Sequence, residues 1–300
     1  MSSCVLGPSL PPWLKSQNKI AYLDVSNSSI FGFIPNWFWD ISSRLTFLNM
    51  SHNELEGWLP NRMLVALSSD AVDLSFNLLE GPVPIIKPGV EFGEGFTFLR
   101  ILILRSNAFS GELPPELSKL GSSQVLDLSR NDLTGSIPAR LGDLKAIVQA
   151  KKKNKYLLYG DYEGHYYEES LNVYIKDQRL KYTKTLSLVA GIDLSDNNLT
   201  GNIPNEITKL SGLMVINLSR NHITYQIPET ISNLRQLSYL DLSSNQFSGT
   251  IPLRWPSLTF LGSLNLSDNN LMGAIPYTGQ VTTFDASAFT GNPNLCGTPL

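Results

Sequence analysis

The side chains best suited to chemistry crowd into one stretch of this chain. Residues 149–186 hold Tyr156, Tyr159, Tyr162, Tyr166, Tyr167, Tyr174 and Tyr182, together with Lys151, Lys152, Lys153 and Lys155. Tyrosine offers a large rigid ring carrying one polar atom, so such a cluster suits recognition of a protein or peptide. Tyr156, Tyr159, Tyr162, Tyr166, Tyr167, Tyr174, Lys151, Lys152 and Lys153 are the candidate ligand-binding residues. A nucleic-acid surface is not expected, because Asp161, Glu163, Glu168 and Glu169 offset the lysines. Catalysis finds little support elsewhere. The histidines His52, His165 and His222 are scattered, and no H-E-x-x-H, G-x-S-x-G or phosphate-binding glycine loop occurs. No Cys/His cluster offers a metal site. The expectation is a binding protein with no cofactor and no metal.

A recurring frame positions that stretch. The pattern L-x-x-L-x-L-x-x-N-x-L-x-G-x-[IL]-P places asparagines at Asn53, Asn77, Asn107, Asn131, Asn197, Asn221, Asn245 and Asn269, in steps of 24, 30, 24, 66, 24, 24 and 24 residues. Such a period marks a solenoid whose coils pack only on their neighbours, which overrides the expectation of two globular domains for 300 residues. In residues 237–252, Leu237, Leu240 and Leu242 point inward, and the alternation around Asp241 reads as a short strand. Asn245 sits where the chain turns, so its amide must satisfy backbone groups of its own and adjacent coils. The eight asparagines are therefore a structural ladder. One position of the strand reads Asp24, Asn49, Asp73, Asp127, Asp193, Asn217, Asp241 and Asn265 and is expected to face solvent. A side chain repeated in every coil is a scaffold feature, whereas a catalytic pair needs unequal environments. Ile103 alone breaks the row, as a possible contact on the concave face. Ser28 takes the ladder position in the first clear coil, and Tyr225 replaces a glycine.

The long steps locate the departures. The first adds a loop near residues 84–96, rich in glycine and proline. The second exceeds a coil by 42 residues and contains the tyrosine cluster; within it Leu171–Ile175 reads as a strand. The division is residues 1–148 as repeats, 149–186 as an insert, 187–284 as four further repeats and 285–300 as a terminal segment.

Bulk properties agree with a recognition scaffold. The net charge is −3 with 16% charged residues, which lacks the basic stripe of a nucleic-acid binder. Cys4 and Cys296 lie near opposite ends of an elongated molecule, too far apart to bridge. No apolar run reaches membrane-spanning length, and the start does not read as a secretory signal. Sequons occur at Asn27, Asn49, Asn198, Asn217 and Asn265, several of them by-products of the repeat.

The G-x-[IL]-P segments, such as Gly57–Pro60, Gly111–Pro114 and Gly249–Pro252, resemble the plant-specific class of leucine-rich repeats. That class implies an α/β right-handed superhelix with a parallel sheet on the concave face and short 3-10 or irregular segments on the convex face. Pro35–Trp39, the insert at 149–186 and the four repeats after it look like the C-terminal ectodomain of a plant receptor-like protein of the fungal-elicitor (xylanase) receptor type. Lys176-Asp177 departs from that type's usual Lys-Gly in the insert. The resemblance implies an apoplastic protein or peptide ligand at the insert. It also implies a short-ectodomain co-receptor kinase on the repeats after the insert, and a parent protein at the plasma membrane facing outward. GNPNLCG at 291–297 is similar to the start of a C-terminal cap, which implies a partner for Cys296 beyond Leu300. Relative to that type, the chain reads as a truncated product lacking an N-terminal cap, with poor solubility expected. Rival readings are a secreted inhibitor of microbial wall-degrading enzymes and a nonfunctional truncated paralogue.

Overall fold

The computed structural model describes residues 2–17, 19–42, 44–60, 71–84, 99–148 and 189–300, plus the backbone of four strands between 159 and 182. Nine parallel strands form one sheet: Tyr22–Asp24, Phe47–Asn49, Ala71–Asp73, Ile101–Ile103, Val125–Asp127, Gly191–Asp193, Val215–Asn217, Tyr239–Asp241 and Ser263–Asn265. Each pairs with its neighbours in the same register, so Leu23, Leu48, Val72, Leu102, Leu126, Ile192, Ile216, Leu240 and Leu264 stack along one line inside the coils. Burying each such side chain contributes about 1.5–3 kcal/mol, and the period repeats that gain coil after coil. The sheet does not break at the insert. Val125–Asp127 pairs directly with Gly191–Asp193 although 66 residues separate equivalent positions.

A second parallel sheet runs along the flank: Phe31–Phe33, Glu54–Trp58, Leu78–Pro82, Ala108–Glu112 and Asp132–Thr134. Beyond it the flank continues through single bridges, Ser136 to Thr200 and Gln226 to Ser248. On the far side of the coils, 3-10 turns follow the consensus proline, as at Pro115–Lys119, Ala139–Asp143, Asn205–Lys209 and Glu229–Asn233. Proline supplies the extended φ there and its missing donor costs nothing.

The asparagine ladder shows how a coil closes. Asn245 Nδ2 donates to the carbonyls of Leu218, Leu242 and Ser243 at 2.9, 3.2 and 3.1 Å, and its Oδ1 accepts from Ile223 N at 3.0 Å. One side chain therefore ties two consecutive coils. Equivalent bonds form at Asn53, Asn77, Asn107, Asn131, Asn197, Asn221 and Asn269. Asn292, which the sequence pattern did not pick out, does the same: it accepts from Leu271 N at 3.0 Å and donates to Leu266 O at 3.0 Å. Its coil ends in Asn294–Cys296, paired with Asn270–Ala274. At the other end Ser3 N and Leu6 N donate to the carbonyls of Ser26 and Ser28, while Leu10 and Leu14 are buried against the first coil. Tyr225 keeps the left-handed backbone of the glycine it replaces, at φ +68, a conformation few bulky residues adopt.

Candidate functional site

The strand and the turn after it form a small cell that most coils repeat. In the coil of Asp241 the carboxylate Oδ1 accepts from Ser243 N at 3.0 Å and from Ser243 Oγ at 2.6 Å. The residue two places before the ladder asparagine is thus locked onto the strand's last side chain. Asn49 with Ser51, Asp73 with Ser75 and Asn217 with Ser219 make the same closed turn. The next residue adopts φ near +55, as at Arg130, Asp196 and Arg220. The polar row expected to face solvent is mostly buried: Asn49, Asp73, Asp127, Asp193 and Asn217 are all below 9% exposure. Their side chains point away from the leucine core, but neighbouring coils cover them.

One coil abandons the cell. Ile103 and Arg105 stand where an acid or amide and a serine belong. Ile103 is 1% exposed and packs in a second apolar cluster with Phe47, Ala71, Ile101, Val125 and Val189. It has no surface to offer a ligand, which removes it from the concave contacts. Arg105, 2% exposed, reaches forward across the sheet. Its Nη1 donates to Ser129 Oγ at 2.8 Å and lies 3.9 Å from Asp127 Oδ2 and 3.5 Å from Asp193 Oδ2. The two carboxylates belong to the coils on either side of the insert. Asn217 Nδ2 adds a donor to Asp193 Oδ2 at 3.2 Å. Burial pushes the Asp193 carboxyl up to about 7, reinforced by the Asp127 charge and opposed by the Ser195 hydrogen bonds and Arg105. Burial likewise raises Asp127, with Arg105 and Ser129 pulling it back and Asp73 adding to the rise. One buried cation thus faces two acids that resist joint ionisation. This set ties together the coils on either side of the insert and is buried among the described residues.

Above the brace the concave surface is polar and accessible. Asp196 Oδ2 lies 3.8 Å from Arg130 Nε and 3.9 Å from Arg220 Nη1, all three side chains being largely exposed. With Ser195, Ser219, Asp241, Ser243 and Asn265 they line a shallow groove of about 100 Å³. Two guanidinium groups bracketing a carboxylate can hydrogen-bond a peptide backbone or its carboxylates.

Of the tyrosines singled out in the insert, Tyr159 and Tyr162 fall on the strand Tyr159–Tyr162, which pairs antiparallel with His165–Glu168 carrying Tyr166 and Tyr167. Tyr174 lies on Leu171–Ile175, paired antiparallel with Gln178–Tyr182. Among the described residues the insert therefore contributes two antiparallel strand pairs. Tyr156, Lys151, Lys152 and Lys153 lie outside the described residues, as does most of the 84–96 loop. Among the sequons, Asn27 and Asn198 are exposed and Asn265 is half-buried. Asn49 and Asn217 are 7% and 5% exposed. The Oδ1 of each accepts from the following serine, and Asn217 Nδ2 is spent on Asp193 and Ser195. A glycan joins the amide nitrogen, so at Asn217 it would replace these two bonds, whereas at Asn49 the Oδ1 contacts to Ser51 involve the other atom of the amide. Both cysteines are exposed thiols. No helix among the described residues is long and apolar enough to cross a membrane.

The nine-stranded sheet, the asparagine ladder and the consensus turns define a leucine-rich-repeat solenoid of the plant receptor-ectodomain type. Ectodomains of that type are extracellular and non-catalytic, and this chain shares their scaffold. Residues 184–247 match one leucine-rich-repeat family, and residues 44–63, 98–120 and 122–144 match another. Receptor-like protein EIX2 of Solanum lycopersicum is 31% identical over 46% of this chain and 13% of its own length. Receptor-like protein 35 of Arabidopsis thaliana is 30% identical over 69% and 24%. The chain thus spans a quarter or less of these relatives. Among solved structures it is similar to the Arabidopsis receptor kinase HAESA ectodomain in complex with an IDA peptide hormone, with 31% identity and a TM-score of 0.73 over 96% of this chain and 40% of that one. It is also similar to a plant ice-binding protein, with 27% identity and a TM-score of 0.58 over 94% and 81%. The same scaffold thus serves more than one purpose, and function must be argued from surfaces.

Proposed function

We propose that this chain is the ligand-recognition part of a plant receptor-like protein of the fungal-elicitor type. In this reading the insert at 149–186 binds an apoplastic protein or peptide. The four repeats after it engage the short ectodomain of a co-receptor kinase, and the groove of Arg130, Asp196 and Arg220 supplies polar contacts between the two. The parent protein acts at the outer face of the plasma membrane, in defence or development.

One observation carries the reading. The sheet passes from Val125–Asp127 to Gly191–Asp193 without a gap, so the solenoid does not need residues 149–186 to complete its ladder. A segment that rich in tyrosine, added to a finished scaffold, serves something other than stacking. The HAESA ectodomain, similar over almost all of this chain, is a peptide-hormone complex, which supports a peptide or protein ligand.

The test is a paired pull-down from elicited apoplastic fluid. One bait carries the segment within a capped ectodomain, and the other has residues 149–186 replaced by a short glycine linker. Circular dichroism establishes that both are folded. A ligand retained by the first and lost by the second is expected; equal recovery of the same ligand by both removes the insert from recognition.

A further inference from the structure

The flank sheet before the insert carries a surface that the receptor reading does not use. Its outward positions hold Phe31, Phe33, Trp58 and Leu78, which are 55%, 75%, 71% and 55% exposed. Between them stand Glu54, Glu56 and Glu80, with Glu112 and Asp132 further along, all exposed. The five strands contain five carboxylates and no lysine, arginine or histidine, in a chain whose net charge is only −3. The register interleaves the two kinds of side chain. Glu56 pairs with Phe33 on one side and Leu78 on the other, and Glu80 lies between Trp58 and Ala108.

The glycines beneath are part of the device. A Cβ built on Gly81 would sit 2.8–2.9 Å from Trp58 Cδ2, Cε2 and Cγ alike. Three ring atoms at equal distance place the indole face-on over the glycine, with its other face turned to solvent. Phe33 instead approaches Gly57 by its edge, at 2.6 and 2.7 Å from the equivalent point. The repeat does not require these rings. The equivalent positions in the four coils after the insert, which include Asn198, Thr200, His222, Thr224 and Met272, carry no acid and no phenyl or indole ring.

We propose that this flank, centred on Trp58, Phe33, Glu56 and Glu80, is a docking surface for a cationic protein segment in which lysines or arginines alternate with apolar residues. An exposed indole face flanked by carboxylates is a receptor for a guanidinium or ammonium group, by cation–π attraction and charge pairing together. Unbroken negative charge repels anionic partners and steers basic ones. The neighbouring rings hold the apolar side chains that a purely ionic surface would leave in water. The surface is carried by strands that precede the insert in the chain, and its test does not involve residues 149–186, so the two readings fail independently.

The probe is a twelve-residue peptide of alternating lysine and leucine, measured by biolayer interferometry on the full 300-residue chain. A glutamate–leucine peptide of equal length and a β-glucan hexasaccharide serve as comparisons. The expected result is binding of the basic peptide alone, weakening as salt rises. Trp58→Ala and the pair Glu56→Gln/Glu80→Gln should each weaken it about tenfold, a change of ~1.4 kcal/mol. Tyr225→Ala with Met272→Ala, on the flank after the insert, should leave it unchanged. Unfolding midpoints equal to wild type show that the variants are folded, as exposed positions allow. Failure to bind the basic peptide overturns the proposal. So does equal binding of both peptides, binding that survives Trp58→Ala, or preference for the glucan.

Discussion

Two coils place different residues at the same point of the repeat and obtain different physics. In the coil of Asp241 an acid and a serine two places on close a turn within one coil, with the acid partly open to water. In the coil of Ile103 and Arg105 the acid is gone and the serine has become a cation, which finds its partners one and two coils ahead. The first arrangement is local and repeatable. The second is long-range and occurs where the sheet must rejoin itself across 66 residues. A tie needed once is made by breaking the consensus once, and the cost is a buried cation with two buried acids.

Removing Arg105 breaks that contrast most severely. Arg105→Met keeps the volume and leaves Asp127 and Asp193 buried beside each other without a cation. Breaking a buried ion pair from one side costs about 3–5 kcal/mol. The loss should be largest at neutral pH and shrink toward pH 5, where the carboxyls can protonate. Urea unfolding at pH 7.5 and pH 5 checks both statements; a variant as stable as wild type at pH 7.5 shows that the brace contributes nothing.

Asn131→Ala tests the regular device beside it. Asn131 Nδ2 donates to the carbonyls of Leu104, Leu128 and Ser129, and Oδ1 accepts from Phe109 N. Alanine leaves buried backbone groups without partners, which costs about 3 kcal/mol and lowers the midpoint by about 5 °C. Unlike the arginine variant, this loss should not depend on pH between 5 and 7.5. Thermal melts at the two pH values separate the cases: a neutral amide and a charge cluster fail differently.

The difference in legibility follows the same line. The ladder was readable because eight asparagines recur in register, and a buried amide at a turn has few alternatives. Asn292 escaped because its coil, Phe289 to Leu295, lacks the leucine pattern that flags the others. Ile103 was visible as an exception, but as a surface residue; its partner exception, Arg105, carried the meaning. Sequence gives the identity of each side chain at a strand position, whereas burial is set by stacking on both sides, so the polar row looked exposed and is not. The pairing of Arg105 with Asp193 joins residues 88 apart that become near neighbours only once the insert is excluded from the count. The flank patch was equally hidden: its residues occupy the variable positions of the repeat, where the consensus predicts nothing.

Asp193→Asn gives the smallest effect and the finest discrimination. The folded state raises this carboxyl from 3.8 to about 7, so between those values it holds a proton that the unfolded chain has released. Its contribution is therefore fully present below about pH 4, declines as the pH climbs toward 7 and is level above that. This is opposite to the usual paired carboxylate, whose stabilisation is lost on acidification. Asparagine cannot ionise, and its carbonyl still accepts from Ser195, although its amide would face the donors of Asn217 and Arg105. The variant should accordingly be less stable at every pH, and the informative quantity is the slope. Between pH 5 and 7.5 the decline of the wild-type midpoint should exceed that of the variant by about 3 °C. Parallel curves would mean that Asp193 stays ionised beside Arg105 throughout, and that the brace is an ordinary ion pair whose second acid is fully neutralised.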